Sequence, residues 1–482
     1  MKSILCNQGY VIVKDQFPAK TINKIKKDLY VRPFIRGKRG RFAKRFKVYM
    51  ETFTKLCIPK FYGIKELGKP DQVDIDEGTS IDIKFTGKMR DYQIDVINKV
   101  LPLIKGEKGG TISLPPGRGK TVIACNLIHL LKSKTLVIVH KSFLLNQWME
   151  RIKQFLPNAR IGKIQGPKID VEDKDIVIGM LQSISLKDDY PDNLFESFGT
   201  LIIDESHHIS SEKFSQLLQK VNTKYMFGLS GTPFRDDKLE KVFNWHIGEM
   251  IYYEAPQINK DILINIYKFN MKHKRYITVI NKQSKETQVS TMVSNLVQLS
   301  ERNKFLANII KKCREEKGRK ILVLSAMLDH LDFMQRRVDD MDIGTTSQYV
   351  GGMKQEKLTK AEEADIIFST YSMSSEALDI STLNTVILTT SRKKIEQSVG
   401  RILRKQAGSY KIKPLIIDIV DKLPVFTRQG YTRKTYYTKL TGEENITYFK
   451  YENGELTEEK KKIVKVVEDE ADDDYCLDSD SD

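Results

Sequence analysis

Short apolar runs alternate with amphipathic stretches along this chain, and the alternation occurs twice. Between about residues 85 and 240, Thr111–Leu114, Thr135–His140, Asp175–Met180, Thr200–Asp204 and Tyr225–Ser230 read as buried strands. Val122–Leu131 and Phe143–Phe155 between them carry helical periodicity. Strand-length apolar runs separated by helix-length segments predict a parallel sheet covered by helices on both faces. The pattern restarts near Arg319 with Ile321–Ser325, Asp365–Thr370, Thr385–Thr389 and Pro414–Ile419. The expected fold class is therefore α/β, with two tandem units over 81–240 and 301–425. Residues 241–300 read as the connection between them, 1–80 as a small basic accessory domain and 426–467 as a C-terminal extension. Residues 468–482 read as a disordered acidic tail, because so polar a segment cannot offset its ordering entropy by burial.

Composition adds a class and a charge. At 482 residues, 40% hydrophobic and 30% charged, the chain fits several globular domains, each able to bury a core. Nothing in it approaches the ~20 apolar residues that cross a bilayer. Met1–Lys14 lacks the charged-then-apolar order of a signal peptide, so the expectation is a soluble intracellular protein with no membrane partner. Cys6, Cys57, Cys125, Cys313 and Cys476 show no CxxC spacing, which argues against a disulfide framework and against a zinc site. Net charge is +17 even though residues 468–482 contain nine carboxylates and no Lys or Arg, so the body is strongly basic and suited to polyanions. Arg32, Arg36, Lys38, Arg39, Arg41, Lys44, Arg45 and Lys47 lie in one stretch without an acidic residue, interleaved with Tyr30, Phe34, Phe42, Phe46 and Tyr49. Cations beside stackable rings make Arg39, Arg41 and Arg45 candidate nucleic-acid contacts. The alternative is that the aromatics form a small core beneath a solvated basic face.

The candidate chemistry sits at strand ends. Thr111–Leu114 runs into Pro115-Pro116-Gly117-Arg118-Gly119-Lys120-Thr121 and then an apolar helix, the context of a Walker A phosphate loop. Leu114 stands where the first glycine of the full pattern would be. The loop Pro116-Gly117-Arg118-Gly119-Lys120-Thr121 would cradle phosphates with the backbone N–H groups of residues 117–121, Lys120 would neutralise their charge, and the Thr121 hydroxyl would ligate Mg²⁺. Thr200–Ile203 ends in Asp204-Glu205-Ser206-His207, an acidic pair suited to holding Mg²⁺ (Asp204) and activating water (Glu205). Taken singly, these could be a glycine-rich turn and a helix cap; together they point to a nucleoside triphosphatase.

The phosphate loop, Asp-Glu-Ser-His, Ser230-Gly231-Thr232-Pro233 and Gln397-Ser398-Val399-Gly400-Arg401-Ile402-Leu403-Arg404 follow in the order of the motifs of superfamily 2 helicases. The resemblance covers about residues 85–420. It is nearest to the XPB-like and RecG/UvsW-like branch, and particularly to helicases of iridoviruses, asfarviruses and poxviruses. It implies two tandem RecA-like P-loop domains, ATP and Mg²⁺ as cofactors, and nucleic acid as partner. DNA stands ahead of RNA because Asp-Glu-Ser-His and Phe234-Arg235-Asp236-Asp237 look like the DNA branch. Transcription or replication machinery is an implied further partner, and the host cytoplasm, host nucleus or virion an implied location. Met89-Arg90-Asp91-Tyr92-Gln93 resembles the segment in which the Gln reads adenine, with Arg90 and Tyr92 either supporting or stacking on the base or serving only as an ordinary helix start. Asp379, in Ser375–Ile380, would join the ATP site; Ala377 departs from the usual glycine there. Arg401 and Arg404, three apart, would share one helix face, with Arg404 as the arginine finger. Ser230, Thr232, His207 and Gln397 would couple hydrolysis to nucleic acid, which Lys141, Gln182, Ser183 and Gly351 would contact. The implied activity is that of an ATP-dependent helicase or translocase. An RNA helicase, a duplex translocase without unwinding and an inactive nucleic-acid-binding scaffold stay open.

Overall fold

The computed structural model describes all residues except 1, 35–42, 116, 187–189, 192, 206–210, 232–238, 256, 377, 379, 404–407, 409 and 460–482, and except the side chains of 211, 355, 375 and 376. Arg39, Arg41, Pro116, His207, Thr232, Asp379, Arg404 and the acidic tail thus lie outside the described residues.

The N-terminal strands are β1 (Ser3–Cys6), β2 (Gly9–Val13), β3 (Tyr30–Val31), β4 (Phe46–Lys47), β5 (Met50–Glu51), β6 (Lys55–Ile58) and β7 (Gln72–Asp74). Five of them form a sheet in the order β5-β6-β2-β1-β7, and β3 pairs with β4. Their apolar cluster also takes in Leu239 and Val242, and Tyr62 meets Trp245 edge to face at 5.3 Å. Those partners flank or belong to the helix Glu240–Ile247, so the N-terminal unit packs on the first large unit. Phe46 and Tyr49 pack against this cluster, whereas Tyr30 and Phe34 are exposed and the Arg45 guanidinium lies 5.7 Å from the Tyr30 ring centre. The aromatics of the basic stretch therefore divide between a core role and an open surface.

The first large sheet contains β8 (Gly109–Ser113), β9 (Thr135–Val139), β10 (Ile161–Gln165), β11 (Lys168–Asp170), β12 (Ile176–Met180), β13 (Thr200–Asp204), β14 (Tyr225–Ser230) and β15 (Met250–Tyr253). Its order is β11-β10-β12-β9-β13-β14-β8-β15, parallel throughout except for β11. Every residue of β9 and β13 is buried, as expected of strands covered on both faces. The second sheet contains β16 (Leu263–Asn270), β17 (Ile321–Ser325), β18 (Thr346–Tyr349), β19 (Ile366–Thr370), β20 (Thr385–Leu388), β21 (Leu415–Asp421), β22 (Ile446–Glu452) and β23 (Glu455–Glu459). Its order is β18-β19-β17-β20-β21-β16-β22-β23, parallel except for β23.

Within 241–300, β15 joins the first sheet and β16 the second, so the chain changes sheets between Tyr253 and Leu263. β16 lies between β21 and β22, yet Asn265 and Lys268 interrupt its apolar run, which hides an interior strand from a reading of apolar runs. Among the described residues no helix is long and apolar enough to cross a membrane.

Register brings the motifs together. Asp204 at the end of β13 lies opposite Leu229 of β14, and Ser230 of β14 lies opposite Ser113 of β8. The C-terminal ends of three neighbouring parallel strands, where ligands of such sheets gather, thus carry the phosphate loop, Glu205 and Gly231 side by side.

Candidate active site

Beyond β8, Leu114 is fully buried and donates its N–H to the Ser230 carbonyl at 3.0 Å. Its place in the apolar core explains why no glycine is needed there. The loop turns at Gly117 (φ 81°) and Gly119 (φ 72°), a left-handed backbone open to glycine at little cost. A Cβ on Gly119 would lie 2.4 Å from Gln93 Nε2. Lys120 opens the helix Lys120–Leu131, whose first-turn N–H groups face the loop, an arrangement suited to an anion.

Glu205 has φ 46°, uncommon outside glycine, and this turn carries its carboxylate back over the loop. Glu205 Oε1 accepts from Lys120 Nζ at 2.9 Å, and Oε2 accepts the Gly231 N–H at 3.2 Å. Asp204 is buried; its Oδ2 accepts the Trp148 indole N–H at 2.8 Å and its Oδ1 the Glu205 N–H at 3.0 Å. Burial first, and the charge of Glu205 second, raise its carboxyl above the ordinary range. Trp148 had no signal in the sequence, where it reads as one more apolar residue of the helix Ser142–Phe155.

Gly231 is held by space rather than by dihedral angle. A Cβ there would sit 2.9 Å from Lys120 Nζ and 3.6 Å from Glu205 Oε2. Gly231→Ala should therefore displace the lysine and lower kcat about tenfold or more, measured by steady-state ATP hydrolysis. An unchanged kcat would show that this contact is irrelevant to turnover.

Gln93 is buried, and both ends of its amide are engaged. Oε1 accepts the Arg90 N–H at 3.0 Å, reaching back to the N-cap of the helix Asp91–Glu107, and Nε2 donates to the Arg118 carbonyl at 3.3 Å. Tyr92 donates its hydroxyl to the same carbonyl at 3.1 Å, and the Arg118 guanidinium lies 3.8 Å from the Tyr92 ring centre. Bracing the phosphate loop is a role for this segment that the sequence did not suggest.

In the second unit the expectation that Arg401 and Arg404 share one helix face extends past the described residues at Arg404. The helix Glu396–Gly400, which holds Gln397, stops one residue short of Arg401, and the chain goes on in turns. Arg401 Nε donates to the Ser374 carbonyl at 2.8 Å, fixing the side chain to the segment that precedes Asp379. Lys141 Nζ donates to Ser372 Oγ at 3.4 Å, a link between the two large units. Gln182 Nε2 donates to the His140 carbonyl at 2.9 Å, and Ser183 Oγ accepts the Gly166 N–H at 2.9 Å. Gly351 is exposed in the turn after β18.

Oxygen donors from Thr121 and Asp204 suit a hard cation. Among the described residues no group of three or more His, Cys, Asp or Glu could hold a metal. The donor set thus fits Mg²⁺ bound through one carboxylate together with phosphate and water oxygens, and not a cage of protein ligands.

Residues 86–235 match the family described as "Type III restriction enzyme, res subunit". Over 449 residues the chain is 35% identical to the "Putative ATP-dependent RNA helicase" of Acanthamoeba polyphaga mimivirus, covering 91% of this chain and 86% of that one. It is 25% identical over 373 residues to the protein of the same description in African swine fever virus, covering 72% of each. A solved fragment of "a putative HsdR subunit of a type I restriction enzyme" from Vibrio vulnificus superposes with a TM-score of 0.54 at 18% identity, over 77% of this chain and 71% of that one. That likeness is one of fold.

Proposed function

The chain belongs to the superfamily 2 helicases, in a family represented in large DNA viruses, and from that premise we propose that it uses ATP to move along or unwind DNA. It is an ATP hydrolase of the helicase type. The observation that carries the reading is the Lys120–Glu205–Gly231 contact at the C-terminal ends of neighbouring strands. The lysine and the glutamate neutralise each other. A triphosphate drawn onto the loop offers Lys120 a more highly charged partner and frees Glu205 to orient a water and accept its proton. Thr121 and Asp204 would hold Mg²⁺, which supplies charge neutralisation across the phosphates.

Gln93, the loop residues 116–121 and Asp379 would frame the nucleotide. Arg401 and Arg404 would stabilise the charge developing on the transferred phosphoryl group when the units close. Ser230, Thr232, His207 and Gln397 would pass that closure to a nucleic-acid track near Lys141, Gln182, Ser183 and Gly351, with Arg39, Arg41 and Arg45 as an accessory surface. Backbone phosphates are the natural handle for stepping, since they carry no sequence information. DNA is favoured by the match to a restriction-enzyme subunit; RNA is the second reading, favoured by the names of the mimivirus and African swine fever virus relatives. Strand displacement from labelled partial duplexes of DNA and of RNA, with ATP and Mg²⁺, tests it. ATP-dependent displacement or movement on DNA supports the proposal, and activity confined to RNA duplexes overturns it.

A further inference from the structure

Glu254 follows β15 directly, at the point where the chain leaves the first sheet. Its N–H donates to the carbonyl of Ser113, the last residue of the strand that feeds the phosphate loop, at 3.0 Å. Its carboxylate pairs through Oε1 with Arg118, inside that loop. Arg118 is gripped on every side: its carbonyl by Tyr92 and Gln93, its guanidinium between the Tyr92 ring and Glu254. Among the described residues the buried Arg118 Nε and Glu254 Oε2 have no hydrogen-bond partner, so one contact holds the pair. The other end of the same connecting segment is fixed to the second unit. Asn259 donates its N–H to the Leu440 carbonyl at 2.8 Å and accepts from the Thr441 hydroxyl at 2.8 Å, both in the helix Pro424–Thr441. Residues 255–258 alone separate an anchor on the phosphate loop from an anchor on the second unit.

We propose that Glu254 is a positioning residue that ties the phosphate loop, through Arg118, to the connection between the two units, so that nucleotide seated on the loop is felt as a pull on the second unit. Asn259 lies only five residues beyond Glu254, so the two anchors can part by no more than the reach of that length of chain, about 3.3–3.6 Å per residue. The pair is a single contact between side chains that are partly exposed. Its effect lies in coupling two sites, and it should disappear when the pair is broken while the fold stays intact.

The inference rests on the loop binding ATP, and the test reads that step separately. Full-length protein carries a donor and an acceptor fluorophore at exposed Lys153 and Lys311, and energy transfer is followed while a non-hydrolysable ATP analogue with Mg²⁺ is titrated, without nucleic acid. In wild type, analogue binding raises transfer. In Glu254→Gln the analogue binds with a Kd within about threefold of wild type, yet the rise in transfer falls by more than about half. Glu254→Asp restores part of it, and thermal melting of both variants stays at the wild-type midpoint. The same rise in Glu254→Gln as in wild type, or no rise in wild type that has bound the analogue, overturns the proposal. Loss of analogue binding in Glu254→Gln also overturns it, by making Glu254 a nucleotide-site residue. Failure of wild type to bind the analogue refutes the ATP-site reading itself.

Discussion

Replacing Glu205 by Gln should lower kcat for ATP hydrolysis by about 10²–10⁴-fold, the usual contribution of a positioned general base. KM for ATP should change little, because the amide keeps the shape and removes only the group that accepts the proton. The geometry makes this specific. Glu205 Oε2 is already aimed by the Gly231 N–H, while Oε1 is occupied by Lys120, a partner that the triphosphate would draw away. The amide of the Glu205→Gln variant would still meet the Gly231 N–H through its carbonyl, so a loss of turnover without a loss of binding isolates proton acceptance from positioning. Lys120→Ala is the contrasting variant: it should lose affinity as well as turnover, because on the proposed reading the lysine would contact phosphate in both the ground and the transition state. Equal kcat in wild type and Glu205→Gln would remove Glu205 from the chemistry.

The largest stability effect should come from the second unit. Arg433 and Asp418 are each 1% exposed and pair through two contacts, Nε to Oδ2 at 2.8 Å and Nη2 to Oδ1 at 2.9 Å. Arg433 Nη1 also donates to Ser391 Oγ at 3.1 Å and to the Arg392 carbonyl at 2.7 Å, and Tyr437 donates its hydroxyl to Asp418 Oδ2 at 3.1 Å. Arg433→Met strands a carboxylate in the apolar interior and should cost about 3–5 kcal/mol, as breaking one partner of a buried pair does. Urea unfolding followed by far-ultraviolet circular dichroism reads the change. Arg433→Met with Asp418→Leu should recover most of the loss, since an apolar pair leaves no unpaired charge. A loss below about 1 kcal/mol in the single variant would show that water reaches Asp418 and that the pair is not sealed. The same guanidinium holds the segment leading from β20 to the helix Glu396–Gly400, so a milder variant should disturb Arg401 before it unfolds the unit.

The sequence made the two sheets legible where strands are buried on both faces, because such strands are written as unbroken apolar runs. β13, β14 and β17 begin and end where Thr200–Asp204, Tyr225–Ser230 and Ile321–Ser325 were read. β10, β15, β16 and β22 were not read as strands of the large sheets. β10, β16 and β22 mix polar with apolar residues, β15 is a four-residue strand at the sheet edge, and the pairing of all four is set by neighbours distant in the chain. The acidic pair and the phosphate loop are legible as motifs because they occur together at the ends of buried strands, where a glycine-rich turn or a helix cap alone would explain only one of them. Trp148 against Asp204, the bracing of Arg118 by Tyr92 and Gln93, and the steric demand at Gly231 were not, because each depends on which side chains the fold brings within a few ångströms. The helix Glu396–Gly400 ends immediately before Arg401, a boundary that the spacing of two arginines does not set.

The central claim is that nucleic acid stimulates ATP hydrolysis at the Lys120–Glu205 site. Steady-state ATP turnover by the full chain, without polymer and with single-stranded DNA, duplex DNA or RNA, tests it most directly, with Lys120→Ala as the blank. The account predicts that DNA raises turnover by about tenfold or more and that no polymer does so in the variant. Turnover that is the same with every polymer as without one would contradict it.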